Sequence, residues 1–92
     1  KTEKTSVAKQ KAALATYIRE YKEKHPCMDC KLFYPYYVMD FDHVRGQKHK
    51  NVSELIPTLS KKKIDDEIKK CEVVCSNCHR IRTHMRKMAK RK

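Results

Sequence analysis

Two Cys-x-x-Cys pairs constrain the fold of this chain more than any other feature of its sequence. The first pair is Cys27 and Cys30, the second is Cys75 and Cys78, and 44 residues separate them. Two-residue spacing lets both thiolates of a pair turn toward one ion, and two pairs complete the tetrahedron that Zn²⁺ prefers in structural sites. The pattern predicts a four-cysteine zinc site, with a redox-active pair or two disulfides as alternatives. Cys71 is left over and is expected to be a small, buried or half-buried hydrophobe.

A structural metal suits a chain of this size. The chain has 92 residues, of which 39% are hydrophobic, and at this length folding hides only about 60% of the unfolded surface. We therefore expect one domain with a marginal apolar core. No stretch of about 20 apolar residues predicts a membrane span. The single glycine argues against a glycine-rich phosphate loop, a dinucleotide-binding fingerprint and a nucleophile elbow, because each needs several glycines.

The charge balance indicates the kind of partner. The 23 Lys and Arg against 11 Asp and Glu give a formal charge of +12, and such a field attracts polyanions, of which nucleic acid is the commonest. An anionic membrane, or a charged surface kept only for solubility, is the alternative. Because no segment has the apolar run of about 7–15 residues that a signal peptide needs, we expect a cytoplasmic protein, in a bacterial or phage context.

The periodicity of apolar residues predicts an α+β fold. Leu14 and Ile18 recur at helical spacing in a basic amphipathic helix from Val7 to about Lys24, which His25-Pro26 ends. Aromatic and β-branched residues between Phe33 and Val44 predict a strand or a hairpin. The later predicted elements are a helix from Lys61 to Cys71, a short strand at Glu72–Val74, and a strongly basic helix from Ser76.

The last helix has two distinct faces. At about 100° per residue, one face carries His79, Arg82, Thr83 and Arg86. The opposite face carries Ile81, Met85 and Met88 and is predicted to pack on the domain.

A second group of polar residues stands apart from the cysteines. Asp40, Asp42 and His43 lie at the end of the predicted strand, and His79 directly follows Cys78. Carboxylate, imidazole and arginine side chains suit metal-assisted hydrolysis of a phosphodiester. Solvated carboxylates and an ordinary histidine are the alternative interpretation. Successive strand residues point to opposite faces, so Asp42 and His43 serve one site only if the strand ends or bends there.

Taken in order, these motifs resemble a known family. Cys27-x-x-Cys30, then Asp40-Phe41-Asp42-His43-Val44-Arg45-Gly46, then Cys75-x-x-Cys78-His79-Arg80 is similar to the zinc-bearing variant of the HNH endonucleases. The resemblance covers about Cys27 to Arg86. It implies a small ββα-metal domain over residues 25–92, stapled by the four-cysteine zinc site, after a basic tail and amphipathic helix over residues 1–24.

The resemblance also implies roles for individual residues. His43 stands where the family has its general base, and Asp42 and His79 stand where it holds Mg²⁺, Mn²⁺ or a similar divalent ion. Asp40 is a supporting acid. The central asparagine of the family has no counterpart, because residues 70–74 contain no Asn.

The predicted function is therefore a metal-dependent endonuclease that nicks double-stranded DNA, leaving 5′-phosphate and 3′-hydroxyl ends. RNA is a second substrate class, and a partner protein is one way to target the enzyme. The predicted phosphate-binding residues are Arg45, Lys48, Arg80, Arg82 and Arg86. The alternatives are a non-catalytic zinc module that binds nucleic acid and, less favoured, a thiol redox protein.

Overall fold

An antiparallel pair of strands organises the fold in the computed structural model, which describes residues 6–90. Strand β1 (Met39–His43) pairs with β2 (Cys71–Cys75), with Met39 opposite Cys75 and His43 opposite Cys71. The helices are α1 (Val7–Lys24), α2 (Lys61–Ile68) and α3 (Ser76–Lys90), and two 3-10 segments cover Tyr36–Val38 and Val52–Thr58. The predicted α+β class is confirmed. The part of the basic tail over residues 1–5 lies outside the described residues.

Helix α1 has the bounds that its sequence predicts. The Ser6 side chain accepts a hydrogen bond from the Lys9 amide at 3.2 Å and caps the first turn. At the other end His25 is extended, as expected for a residue before proline. Ile18 is buried against the second 3-10 segment and α2. The buried residues of this core are Ile18, Val52, Leu55, Ile64 and Ile68. Helix α1 therefore packs on the connection between the two strands.

A second core lies under the sheet and contains two of the paired cysteines. Its buried members are Cys27, Met39, Val73, Val74 and Cys75. Tyr21 and Phe41 contact both cores, so the two clusters form one continuous apolar interior. Cys27 and Cys75 thus anchor the predicted zinc site in the core, while Cys30 is exposed and Cys78 is half-buried.

The connection from β1 to β2 folds on itself. Asn51 caps the second 3-10 segment, Val52–Thr58, in a capping box. The Asn51 amide donates to Glu54 Oε1 at 3.0 Å. Ser60 caps α2 by accepting from the Lys63 amide at 3.1 Å. Helix α2 ends at Ile68 rather than at Cys71, because Cys71 is the first residue of β2. No helix within residues 6–90 is long and apolar enough to cross a membrane.

The prediction that the apolar face of the last helix packs on the domain is wrong. Ile81, Met85 and Met88 are 60%, 61% and 52% exposed. The polar face packs instead, and Arg82 and Arg86 reach carboxylates of the sheet. Ion pairs with buried or half-buried carboxylates therefore orient α3. The three apolar side chains on its opposite face remain exposed to solvent.

Candidate functional site

The four paired cysteines converge on one point. The Sγ atoms of Cys27, Cys30, Cys75 and Cys78 all lie within 4.8 Å of one another. Four sulfurs at about 2.3 Å from a tetrahedral Zn²⁺ would lie about 3.8 Å apart, so the cluster could hold zinc with a small contraction.

In each cysteine pair, the backbone amide of the second cysteine points to the sulfur of the first. The Cys30 amide points to Cys27 Sγ at 3.5 Å, and the Cys78 amide points to Cys75 Sγ at 3.4 Å. Lys31, directly after the first pair, has a φ of 68°, which reverses the chain there. Amide groups directed at sulfur favour the thiolate form that binds a metal.

Cys71 lies outside this cluster and behaves as predicted. It is half-buried, and its thiol donates to the Glu67 carbonyl at 3.4 Å. Burial and the nearby carboxylate of Glu67 raise the pKa of Cys71 to about 11. A thiol that stays protonated is a poor nucleophile and a poor ligand, so Cys71 is a packing residue.

Asp42 lies on the face of β1 that meets α3 and is only 4% exposed. Arg82 Nη1 donates to its Oδ2 at 2.8 Å, and Arg86 donates to both carboxylate oxygens at 3.0 and 2.7 Å. Burial by itself raises the pKa of Asp42, but the hydrogen bonds from Arg86 and Arg82 outweigh it and hold the pKa below its usual range. Asp42 is therefore an ionised, fully hydrogen-bonded carboxylate.

Arg82 joins three segments of the chain. It binds Asp29 through two bonds of 2.7 Å and Glu72 through one of 2.8 Å, besides its bond to Asp42. Asp29 lies inside the first cysteine pair, so this guanidinium ties that pair to β1, β2 and α3. Arg82 and Arg86 were predicted to contact phosphate. The structure places both in ion pairs, although Arg86 remains 50% exposed.

His79 sits between the two aspartates of β1. Its Nδ1 lies 3.0 Å from Asp40 Oδ2, and its Nε2 lies 3.6 Å from Asp42 Oδ1. Position in the chain explains this contact, because Cys78 joins the cysteine cluster and fixes the first turn of α3 beside the sheet. The structure thus brings Asp40, Asp42 and His79 together as the sequence predicts.

His43 is the last residue of β1 and points away from Asp42, as strand alternation requires. Its Nε2 lies 2.9 Å from Glu67 Oε2 on α2. His43 and His79 nevertheless line the same cleft, of about 330 Å³. The full lining is Ile18, Lys22, Asp40, Phe41, His43, Asn51, Val52, Ser53 and His79. The cleft lies at the end of β1, beside the connection that follows it, and both histidines line it.

Three residues of this region were not singled out from the sequence. Lys22 lines the cleft with its ammonium 5.3 Å from the centre of the Phe41 ring, and burial lowers its pKa. The sequence held one signal for Lys22: it lies four residues after Ile18 on α1, and residues four apart share a helix face. Asn51 lines the cleft from the connection, and Glu67 contacts His43 from α2. Nothing in the local sequence distinguishes those two.

The remaining predicted phosphate-binding residues are on the surface. Arg45, Lys48 and Arg80 are exposed, and Arg80 lies beside Asp40 and His79 at a shallower hollow. Arg45 donates to the carbonyls of Lys69 and Cys71, which holds it at the end of the sheet. These cations are accessible to a large polyanion.

Replacing Asp42 with asparagine is expected to lower the free energy of unfolding by about 3 kcal/mol, because it leaves two guanidinium groups without their buried carboxylate. Chemical denaturation of the zinc-loaded protein measures the loss. Asp66→Asn is the matched control: Asp66 pairs with Lys62 at 2.9 Å on the surface, and exposed pairs contribute little. Equal losses in the two variants would show that burial of the Asp42 network is energetically unimportant.

Comparison with known proteins identifies no relative: no family model, no curated protein and no solved structure matches this chain.

Proposed function

We propose that this protein is a metal-dependent endonuclease of the HNH type that hydrolyses phosphodiester bonds in DNA. The observation that carries the proposal is the shared cleft of His43, His79 and Asp40, in a chain with a formal charge of +12. Two histidines and a carboxylate in one cleft of a basic protein offer a proton acceptor and metal ligands at the place where a phosphate would bind.

His79 and Asp42 have the chemistry of a divalent-ion site. With Nδ1–H donated to Asp40, the Nε2 lone pair is free, an arrangement that orients metal-binding histidines in general. The 3.6 Å between Nε2 and Asp42 Oδ1 lets both atoms touch one ion through bonds of about 2.0–2.2 Å. Mg²⁺ or Mn²⁺ bound there would stabilise negative charge on the leaving oxygen.

The residues of the chain account for the other parts of the reaction. His43 takes a proton from water, the water oxygen bonds to phosphorus, and the bond from phosphorus to the 3′ oxygen breaks. The 3′ oxygen gains a proton from solvent, so the products are a 5′-phosphate and a 3′-hydroxyl. Lys22, which lines the cleft, is the cation positioned to hold the phosphate. The four cysteines hold a separate, structural Zn²⁺ that keeps α3 and its His79 beside β1.

Incubation of supercoiled plasmid with the zinc-loaded protein tests the proposal. We expect conversion to the nicked form with Mg²⁺ or Mn²⁺, and none after EDTA, with zinc content measured after chelation to show that the four-cysteine site stays filled. Binding measured in parallel by fluorescence anisotropy should weaken steeply with salt, because phosphate contacts release counterions. A labelled RNA duplex and single strand extend the assay to the second substrate class. Wild-type protein that binds but cuts nothing with any metal contradicts the proposal.

One observation favours a non-catalytic zinc module that binds nucleic acid. Both oxygens of Asp42 accept hydrogen bonds from arginine, so a divalent ion must compete for them. This alternative predicts the same zinc content and the same salt-dependent binding. It differs in predicting no nicking and no change in the His79 NMR signals when Mg²⁺ or Mn²⁺ is added.

A further inference from the structure

Glu67 on α2 is a buried carboxylate that neither metal site uses. It is 3% exposed and accepts three hydrogen bonds. Oε2 accepts from His43 Nε2 and from the His49 amide, both at 2.9 Å, and Oε1 accepts from Lys70 Nζ at 3.1 Å. A buried carboxylate costs free energy unless its hydrogen bonds are satisfied. Here the donors are the last residue of β1, an amide of the loop that follows it, and the residue before β2.

The charge of Glu67 determines which nitrogen of His43 carries the proton. Burial by itself raises the pKa of Glu67, but hydrogen bonds from the His49 amide, Lys70 and His43 outweigh it and lower the pKa to about 2. An ionised carboxylate only accepts hydrogen bonds. At 2.9 Å the Nε2 of His43 must therefore be the donor, and in the neutral ring Nδ1 carries the lone pair.

The same carboxylate helps to fix the chain that follows His43. It anchors the His49 amide, while Lys70 Nζ also binds the Gln47 carbonyl at 2.8 Å and the Lys70 carbonyl accepts from the amides of Val44 and Arg45. The loop after β1 is thus held against α2 at several points. These contacts order the loop beneath the cleft.

We propose that Glu67 is a positioning residue that holds His43 as the Nε2–H tautomer, with Nδ1 presented to the attacking water. The proposal rests on the nuclease function proposed above. It adds a pair of Glu67 and His43, in which a residue of α2 sets the orientation of the general base. Helix α2 is not one of the elements that carry the other site residues. Such partners of a reacting histidine fix its tautomer and geometry rather than taking up the proton themselves.

The first measurement uses the wild-type, zinc-loaded protein and needs no activity. Two-bond ¹H–¹⁵N correlation spectra recorded with the ring neutral report which nitrogen of His43 is protonated, with His43→Gln to assign its signals. We expect the Nε2–H form. An Nδ1–H form, or an equal mixture, overturns the proposal.

The second measurement is the rate of plasmid nicking by Glu67→Gln. An amide can donate as well as accept, so it no longer imposes one tautomer. We expect kcat to fall about 10- to 100-fold with KM unchanged, accompanied by mixed tautomers in the NMR spectrum. Lys70→Met removes a donor to Oε1 and leaves the His43 contact in place, so His43 should keep the Nε2–H form in that variant. Asp66→Asn controls for a changed charge on α2.

The outcomes separate this proposal from the nuclease function. A folded Glu67→Gln protein that cuts as fast as wild type, or loses kcat while His43 keeps the Nε2–H form, overturns the role of Glu67 and leaves the nuclease function standing. A wild-type protein with the expected tautomer and no cleavage overturns the nuclease function instead. If Glu67→Gln fails to fold, the wild-type tautomer still decides, because an Nδ1–H form or an equal mixture contradicts the proposal.

Discussion

Cys75→Ala is expected to unfold the protein at room temperature. Cys75 is buried in the core under the sheet, and its sulfur belongs to the cluster that could hold zinc. Structural zinc contributes roughly 10–16 kcal/mol of apparent binding free energy in small domains. Because a domain of ordinary stability has only about 5–15 kcal/mol in total, loss of one ligand removes most or all of it. Circular dichroism melts and zinc content by mass spectrometry measure the effect.

Cys71→Ser is the matched control for that substitution. Cys71 is also a cysteine of β2, but it is half-buried and its thiol donates to a carbonyl, a bond that a serine hydroxyl can replace. We expect it to retain one zinc per chain and a melting temperature close to wild type. Removal of zinc by a strong chelator should mimic Cys75→Ala. A Cys75→Ala protein that melts cooperatively near the wild-type temperature would contradict a structural role for the metal.

His43→Ala is expected to slow DNA nicking by about 10²–10⁴-fold, the usual contribution of a general base. The loss should appear in kcat, because His43 acts on water and the phosphate contacts come from other side chains. Alanine also removes a donor from buried Glu67, so the variant should be somewhat less stable. His43→Gln keeps an amide donor without a base, and it should be equally inactive but better folded.

His84→Ala is the control for histidine removal on the basic surface. His84 is exposed on α3, on the far side of the helix from the cleft. We expect His84→Ala to nick DNA at the wild-type rate. His43→Ala, His43→Gln and His84→Ala should all keep the DNA affinity and zinc content of the wild type. Nicking by His43→Ala within a few fold of wild type, with zinc bound, would remove His43 from the mechanism.

Local sequence was sufficient for most elements of the fold. A serine cap, helix-forming residues and a proline after His25 set the ends of α1, and all three are short-range effects. The spacing of the cysteines predicted a four-sulfur cluster, which the structure confirms. Two cysteines separated by two residues can turn both sulfurs toward one point, so the prediction needs only local geometry within each pair. The antiparallel pairing of β1 with β2 places Met39 opposite Cys75, beside that cluster.

The packing of α3 could not be predicted in the same way. Its apolar stripe suggested a buried face, yet Asp29, Asp42 and Glu72 come from three separate segments and bind Arg82 only in the folded chain. Helical periodicity does not report such a network. Ion pairs with a buried carboxylate outweigh the burial of a few methionine and isoleucine side chains that have no partner surface.

The cleft was predicted only in part. His79 beside Asp40 and Asp42 follows from the cysteine that precedes it, whereas the approach of His43 to the same cleft depends on where β1 ends. Glu67 looks in the sequence like one more charged residue on an exposed helix, among lysines and aspartates at paired spacing. Only the folded connection shows that it is buried while Asp66 beside it is not.

The distribution of the cysteines along the chain has a consequence during synthesis. The first pair leaves the ribosome before either strand exists, and the last ligand follows only after the 48 residues from Lys31 to Cys78. At roughly 5–20 residues per second this interval lasts about 2 to 10 seconds. Throughout it the nascent chain carries two accessible thiols and no complete coordination shell. A zinc ion bound by the cluster would therefore be captured in the same late event as the pairing of β1 with β2 and the docking of α3. If folding depends on that ion, a cell short of zinc would accumulate full-length chains that have not folded.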